Sequence, residues 1–210
     1  MVKLTKIYTR TGDEGLTGLS DLSRVRKTNE RIEAYADVDE ANSALGYAMS
    51  HHQSEFDEQT LGFVSRIQNQ LFDLGADLST PLAETYAYQP IRIEQAHIDA
   101  LEAEIDRLNA NLEKLDSFII PAGSSLAAGL HLTRTVVRRA ERATWHAIET
   151  FGLESAKKGS ASGGVNLFAA LVSLFAIFET GAIVAVVLVF DAVVVVVRVA
   201  DVAQGVNVVV

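Results

Sequence analysis

From Asn29 onward the apolar residues recur at steps of three and four, the period of a helix with one buried face. Ile32, Tyr35, Ala36, Val38, Ala41, Leu45 and Ala48 predict a first helix that ends near His51-His52. Leu61, Val64, Ile67, Leu71, Leu74 and Leu78 predict a second over about 55–78. Ser79-Thr80-Pro81 stops it, because proline cannot continue the hydrogen-bond ladder. Ile98, Leu101, Ile105 and Leu108 mark a third over roughly 94–112, and a fourth and longest covers about 125–151. Successive amphipathic helices with short connections predict an all-α bundle in one domain.

The two ends of the chain break this pattern. Residues 1–28 show neither a helical nor a strand period and are expected to form an extended arm and loop. Lys157-Lys158-Gly159-Ser160-Ala161-Ser162-Gly163-Gly164 has linker composition, and 165–178 is a largely apolar stretch. Residues 181–210 are dominated by valine and alanine, with an unbroken valine run over 193–197. Glu179, Asp191 and Arg198 interrupt these stretches before they reach the roughly 18–20 apolar residues of a membrane helix. Three readings stand open. The stretch over 164–180 is a buried fifth helix, or the end is a membrane-associated tail, or its residue identities do not represent the folded protein. Valine's weak helix preference supports the last. The expected organisation is an arm over 1–28, a helical bundle over 29–180 and an anomalous tail over 181–210.

Charge changes the picture on the fourth helix. Arg134, Arg138 and Arg142 are four apart and share one face, with Arg139 beside them, although the chain's net charge is −9. Such a row needs anions, either carboxylates of other helices (Glu33, Asp39 or Glu40) or phosphates of a ligand, and the planar guanidinium suits both. An acidic surface argues against nucleic acid as the main partner. With 210 residues the chain has room for one domain with a real core. It has no cysteine, which removes disulfides, thiol nucleophiles and thiolate metal sites. Residues 1–6 carry no apolar signal-peptide core, so a cytoplasmic protein is expected. The five histidines show no metal-ligand spacing, and Asp73, Asp77 and Glu104 read as solvated or capping charges.

The arm contains Thr9-Arg10-Thr11-Gly12-Asp13-Glu14-Gly15, where glycines let backbone N–H groups converge on an anion and hydroxyls add donors. It is neither GxxxxGK[ST] nor GxGxxG, and taken by itself it is better explained as a surface turn.

Taken in order, several segments resemble the PduO-type ATP:cob(I)alamin adenosyltransferases. They are Lys6-Ile7-Tyr8-Thr9-Arg10-Thr11-Gly12-Asp13, Arg31-Ile32-Glu33-Ala34-Tyr35 with Val38-Asp39-Glu40-Ala41-Asn42-Ser43, and Gln68-Asn69-Gln70-Leu71-Phe72-Asp73-Leu74-Gly75-Ala76. Phe118-Ile119-Ile120-Pro121 and the Arg134 to Arg142 stretch complete the set, over about 3–155. The resemblance implies a five-helix bundle of ferritin-like up-down arrangement, assembled as a homotrimer with active sites between subunits. Thr9, Arg10, Thr11, Gly12, Thr17, Gly18 and Lys27 would surround ATP, with Arg138, Arg139, Ala140, Glu141 and Arg142 binding it from the fourth helix. Asp39 would pair with Arg134 across the subunit boundary, and Phe118 would lie against the corrinoid. The family's Leu-Asn-Arg-Leu-Ser-Asp segment has only Val165-Asn166-Leu167-Phe168-Ala169-Ala170 as counterpart, which leaves Asn166 as its asparagine. The implied reaction sets cobalt(I) on the 5′-carbon of ATP, with Mg2+ on the departing triphosphate and cobalamin as the acceptor. The implied partners are a B12-dependent mutase or dehydratase and a reductase. The rivals are a nucleotide- or corrinoid-binding bundle without catalysis and a structural protein tethered to membrane.

Overall fold

The computed structural model describes residues 8–50, 52, 54, 56–110, 112 and 120–151. Four helices and one small hairpin make up the described chain: β1 (Leu16–Gly18), β2 (Arg24–Arg26), α1 (Glu30–Met49), α2 (Glu58–Leu78), α3 (Gln95–Asn109) and α4 (Ser125–Phe151). Phe118, Asn166, the fifth helix over 164–180 and the tail over 181–210 lie outside the described residues.

Local chemistry sets the helix starts. The Asn29 side chain accepts the Arg31 N–H at 3.0 Å and opens α1, and Asp57 accepts the Thr60 N–H at 2.7 Å and opens α2. Glu94 and His97 cap each other's backbone at the head of α3. The partners then fix direction. Asn42 donates to Gln68 O and Arg31 to Leu78 O, so α1 and α2 run antiparallel. Arg107 reaches Thr60 while Arg92 and Ile93 reach Asp77, so α3 opposes α2. Gly129 meets Ala48 while Arg139 meets Asp37, so α4 opposes α1. This is an up-down arrangement.

The core runs through all four helices, with Ala34, Val38, Ala41, Leu45 and Ala48 from α1 and Ile67, Leu71 and Leu74 from α2. Ile98 and Leu101 come from α3, and Leu126, Leu130, Val137 and Ala140 from α4. Small residues bring α1 and α4 close: a Cβ on Gly129 would sit 3.0 Å from that of Ala48. Ala36, expected on the apolar face, is exposed, and Ala34 takes the buried position.

Two expected charges are not solvated. Asp77 and Glu104 are both buried, at 4% and 9% exposed, because each falls on its helix's apolar stripe. Asp77 pairs with Arg92 at 2.6 Å and accepts the Ile93 N–H at 2.9 Å, and Glu104 pairs with Arg107. Arg92 also donates to the carbonyls of Asp77 and Thr80, each at 3.1 Å, and to the Tyr86 hydroxyl at 3.0 Å. A cation at these carbonyls complements the negative end of α2. It also orders the α2–α3 connection, which spans 79–94 and is long rather than short.

The arm, expected to lack strands, forms an antiparallel hairpin with Leu16 opposite Arg26, Thr17 opposite Val25 and Gly18 opposite Arg24. Three-residue strands are too short to show an alternation in sequence. Leu19 N–H bonds Ser23 O at 2.9 Å and Leu22 N–H bonds Leu19 O at 3.0 Å. The result is a three-residue loop whose last position is left-handed, normally a place for glycine or asparagine. Here it is Leu22, at φ 68° and 86% exposed. A left-handed leucine costs roughly 1–2 kcal/mol and this one buries nothing in return. Leu22→Asn is therefore expected to raise the melting temperature by about 2–4 °C. An unchanged or lower midpoint would refute the assignment of strain.

Candidate functional site

The hairpin gathers the arm's chemistry into one place. Pairing of β1 with β2 brings Lys27 back onto the loop before β1, where its backbone N–H donates to Gly15 O at 2.9 Å. Its ammonium then lies over Gly12: a Cβ there would be 3.3 Å from Lys27 Nζ and 3.2 Å from Leu16 O. A side chain there would press on both, so the lysine would have to shift by a few tenths of an ångström. Gly15 closes the loop at φ 79°, with its N–H on Gly12 O at 3.1 Å, and Arg10 itself is left-handed at φ 61°. The Thr9 and Thr11 hydroxyls face each other at 2.9 Å. Arg24 fastens the loop from the other strand, donating to Thr11 O at 2.5 Å and Leu16 O at 3.4 Å. Sequence reasoning missed Arg24; its signal is the strand register, which places it opposite Gly18. Thr17 is half-buried within β1 and Gly18 is exposed at its end.

On α4 the arginines divide. Arg139 turns to α1, donating through Nε to Asp37 at 3.2 Å and through Nη2 to Glu40. Its hydrogen bond to Glu40 raises the Arg139 pKa, and the same bond lowers that of Glu40. The internal-carboxylate reading thus holds for Arg139. Arg138 and Arg142 are exposed, and among the described residues their guanidinium groups take no hydrogen bond or ion pair. Arg134 is half-buried on the same face, and Asp39 is exposed on α1. Ala140 is fully buried in the core, next to Glu141, which is half-buried. Burial raises the Glu141 pKa, and the nearby Arg138 charge opposes that shift.

The arm and the arginine row sit at different heights. The hairpin turn rests on the end of α2, where Ser20 meets Ser79. Arg31, which bonds Leu78 O there, lies 4.7 Å from the ring of Phe151 at the end of α4. Arg138 is 13 residues back along α4, about 20 Å at a helical rise of 1.5 Å per residue.

Fold and site together define a class: a helical bundle with a hydroxyl- and glycine-rich, lysine-topped arm and a helix face of open guanidiniums, suited to a polyanionic ligand. The profile of the cobalamin adenosyltransferase family matches residues 7–162, and the chain belongs to that family. It is 55% identical over 148 residues to the corrinoid adenosyltransferase of Mycobacterium tuberculosis (strain ATCC 25618 / H37Rv), covering 70% of this chain and 76% of that one. It is 40% identical over 139 residues to the corrinoid adenosyltransferase of Bacillus subtilis (strain 168), covering 65% and 69%. Among solved structures, a phenylalanine-to-histidine variant of the PduO-type ATP:corrinoid adenosyltransferase from Lactobacillus reuteri, complexed with cobalamin and ATP, matches with TM-score 0.67 and 30% identity. That match covers 84% of this chain and 89% of the other.

Proposed function

We propose that the chain performs its family's reaction, moving the 5′-deoxyadenosyl group of ATP to cob(I)alamin with release of triphosphate, at sites that two protomers of a homotrimer build together. The cobalt(I) electron pair forms the bond to C5′ as the C5′–O bond breaks, and that bond's electrons leave with the triphosphate. Cobalt(I) is already a strong nucleophile, so the protein's task is to orient the reactants and to stabilise the leaving charge. Thr9, Arg10, Thr11, Gly12, Thr17, Gly18 and Lys27 hold the polyphosphate from the arm, and Arg138, Arg142 and Glu141 hold the nucleotide from α4. Arg139 joins them by leaving Asp37 and Glu40. Phe118 lies against the corrinoid and excludes water and the lower ligand, while Asn166 is a further nucleotide contact. Mg2+ travels with the triphosphate and neutralises part of its charge. The Thr9 and Thr11 hydroxyls suit a cation that prefers oxygen ligands, and no three His, Asp or Glu side chains converge among the described residues.

The observation that carries this reading is the open guanidinium pair of Arg138 and Arg142 on a chain whose own arm is anchored about 20 Å from the first and about 14 Å from the second along the helix axis. A second copy supplying its arm completes the site. Asp39, exposed on α1, then pairs with Arg134 of the neighbouring copy. The ferritin-like five-helix architecture belongs to the same reading. The product goes to a B12-dependent mutase or dehydratase, and a reductase supplies the cobalt(I). No described helix is long and apolar enough to cross a membrane.

The test follows absorbance while the protein turns over reduced cobalamin with MgATP, alongside light scattering for mass. A shift to the adenosylated spectrum and a trimeric mass are expected. Full turnover by a monomer would overturn the shared site, and no spectral shift would overturn the transfer itself.

A further inference from the structure

Among the described residues of the arm, Leu19 is the one buried side chain, at 8% exposed. A lone two-stranded hairpin is marginal in water, so something else must hold this one in place. The turn after Leu19 sets down on the C-terminal end of α2, where a helix leaves carbonyls without internal partners. Ser20 supplies two donors there. Its N–H bonds Ser79 O at 3.2 Å, and its hydroxyl lies 3.0 Å from the same carbonyl and 2.8 Å from Thr80 Oγ1. The Thr80 hydroxyl, itself buried, donates in turn to Ala76 O at 2.7 Å. A relay thus runs from arm to helix, each hydroxyl polarising the next. The platform under it is stiff, because Arg92 fills the Thr80 and Asp77 carbonyls from below while pairing with the Asp77 carboxylate.

We infer that Ser20 is a positioning residue for ATP: its joint with Ser79 and Thr80 fixes where the 9–12 loop and Lys27 stand. This rests on the reading that the arm holds the nucleotide. Ser20 touches no reacting atom in that reading; its loss lowers the fraction of arms docked before ATP arrives without altering the docked geometry, and saturating ATP restores the parent state. Such a loss raises KM and leaves kcat in place.

The experiment is steady-state kinetics with both substrates varied on Ser20→Ala, Ser20→Thr, Thr80→Ala and the Ser20→Ala/Thr80→Ala pair, each first melted to confirm folding. Ser20→Ala and Thr80→Ala are each expected to raise KM for ATP roughly three- to tenfold, the worth of one hydrogen bond. KM for the corrinoid and kcat at saturating ATP stay within twofold. Ser20→Thr, which keeps the hydroxyl, restores the parent value, and the double variant is no worse than either single one. Lys27→Ala separates the two ideas. If it raises KM for ATP while Ser20→Ala does not, the joint is refuted and the arm reading stands. If neither changes KM for ATP, the arm reading itself fails. Equal rises in KM for both substrates, or additive effects in the double variant, would also overturn the inference.

Discussion

Arg138→Ala lowers adenosyl transfer roughly 10²–10³-fold while the protein melts where its parent does, the usual cost of deleting one donor aimed at developing charge. The expectation follows from how the arginine row divides. Arg138 is exposed and takes no hydrogen bond or ion pair among the described residues, so its removal strips little from the fold. Arg138→Lys keeps the charge and loses the planar fork, and should fall between the two. Arg139→Ala adds a loss of stability to the loss of a nucleotide contact, because its guanidinium bridges Asp37 and Glu40 and holds α1 to α4. Arg139 and Glu40 are exposed and Asp37 is only half-buried, so that loss of stability is small. Single-turnover absorbance with MgATP measures the first effect, and a thermal melt checks the second. An Arg138→Ala protein that unfolds, or that transfers at the parent rate, would remove the arginine face from the mechanism.

The largest effect on stability is expected at Asp77. Its carboxylate is 4% exposed and holds both Arg92, at 2.6 Å, and the Ile93 N–H, at 2.9 Å. Asp77→Ala leaves a largely buried guanidinium without its partner and a buried N–H without an acceptor. Breaking one side of such a pair costs about 3–5 kcal/mol. For a chain of this size that lowers the melting temperature by roughly 6–20 °C. The double replacement Asp77→Ala/Arg92→Leu should recover part of the loss, since it removes the stranded charge as well. A drop of less than about two degrees for Asp77→Ala would mean that the pair is solvated in solution. Because Arg92 also braces the platform under Ser20, Asp77→Ala should weaken ATP use beyond what melting alone explains.

The helices were legible because their signal is local. Each apolar stripe lies within one segment, and Ile67, Leu71 and Leu74 face the core whatever surrounds them. Proline at 81 marked the end of α2 for an equally local reason. The misplacements came where two local rules compete. Asp77 and Glu104 carry charge and so read as solvated or capping, yet they occupy stripe positions. Burial won because Arg92 and Arg107 arrive as partners, from the α2–α3 connection and from the next turn of α3. Ala36 went astray for another reason: Ala34 lies four before Val38 and shares its face, whereas Ala36 lies two before it and points away, so the helical phase itself favours Ala34.

By itself, the sequence determined four amphipathic helices, an acidic chain with a basic helix face and an arm whose motif order belongs to one family. Those are properties of neighbouring residues, and they survive without knowledge of the fold. Only the tertiary structure decided that Lys27 covers Gly12, that Ser20 meets Thr80, and that Arg139 is engaged by α1 while Arg138 and Arg142 stay open. Each of these pairs residues far apart along the chain. Such pairing depends on strand register and helix packing, and no local period encodes either one.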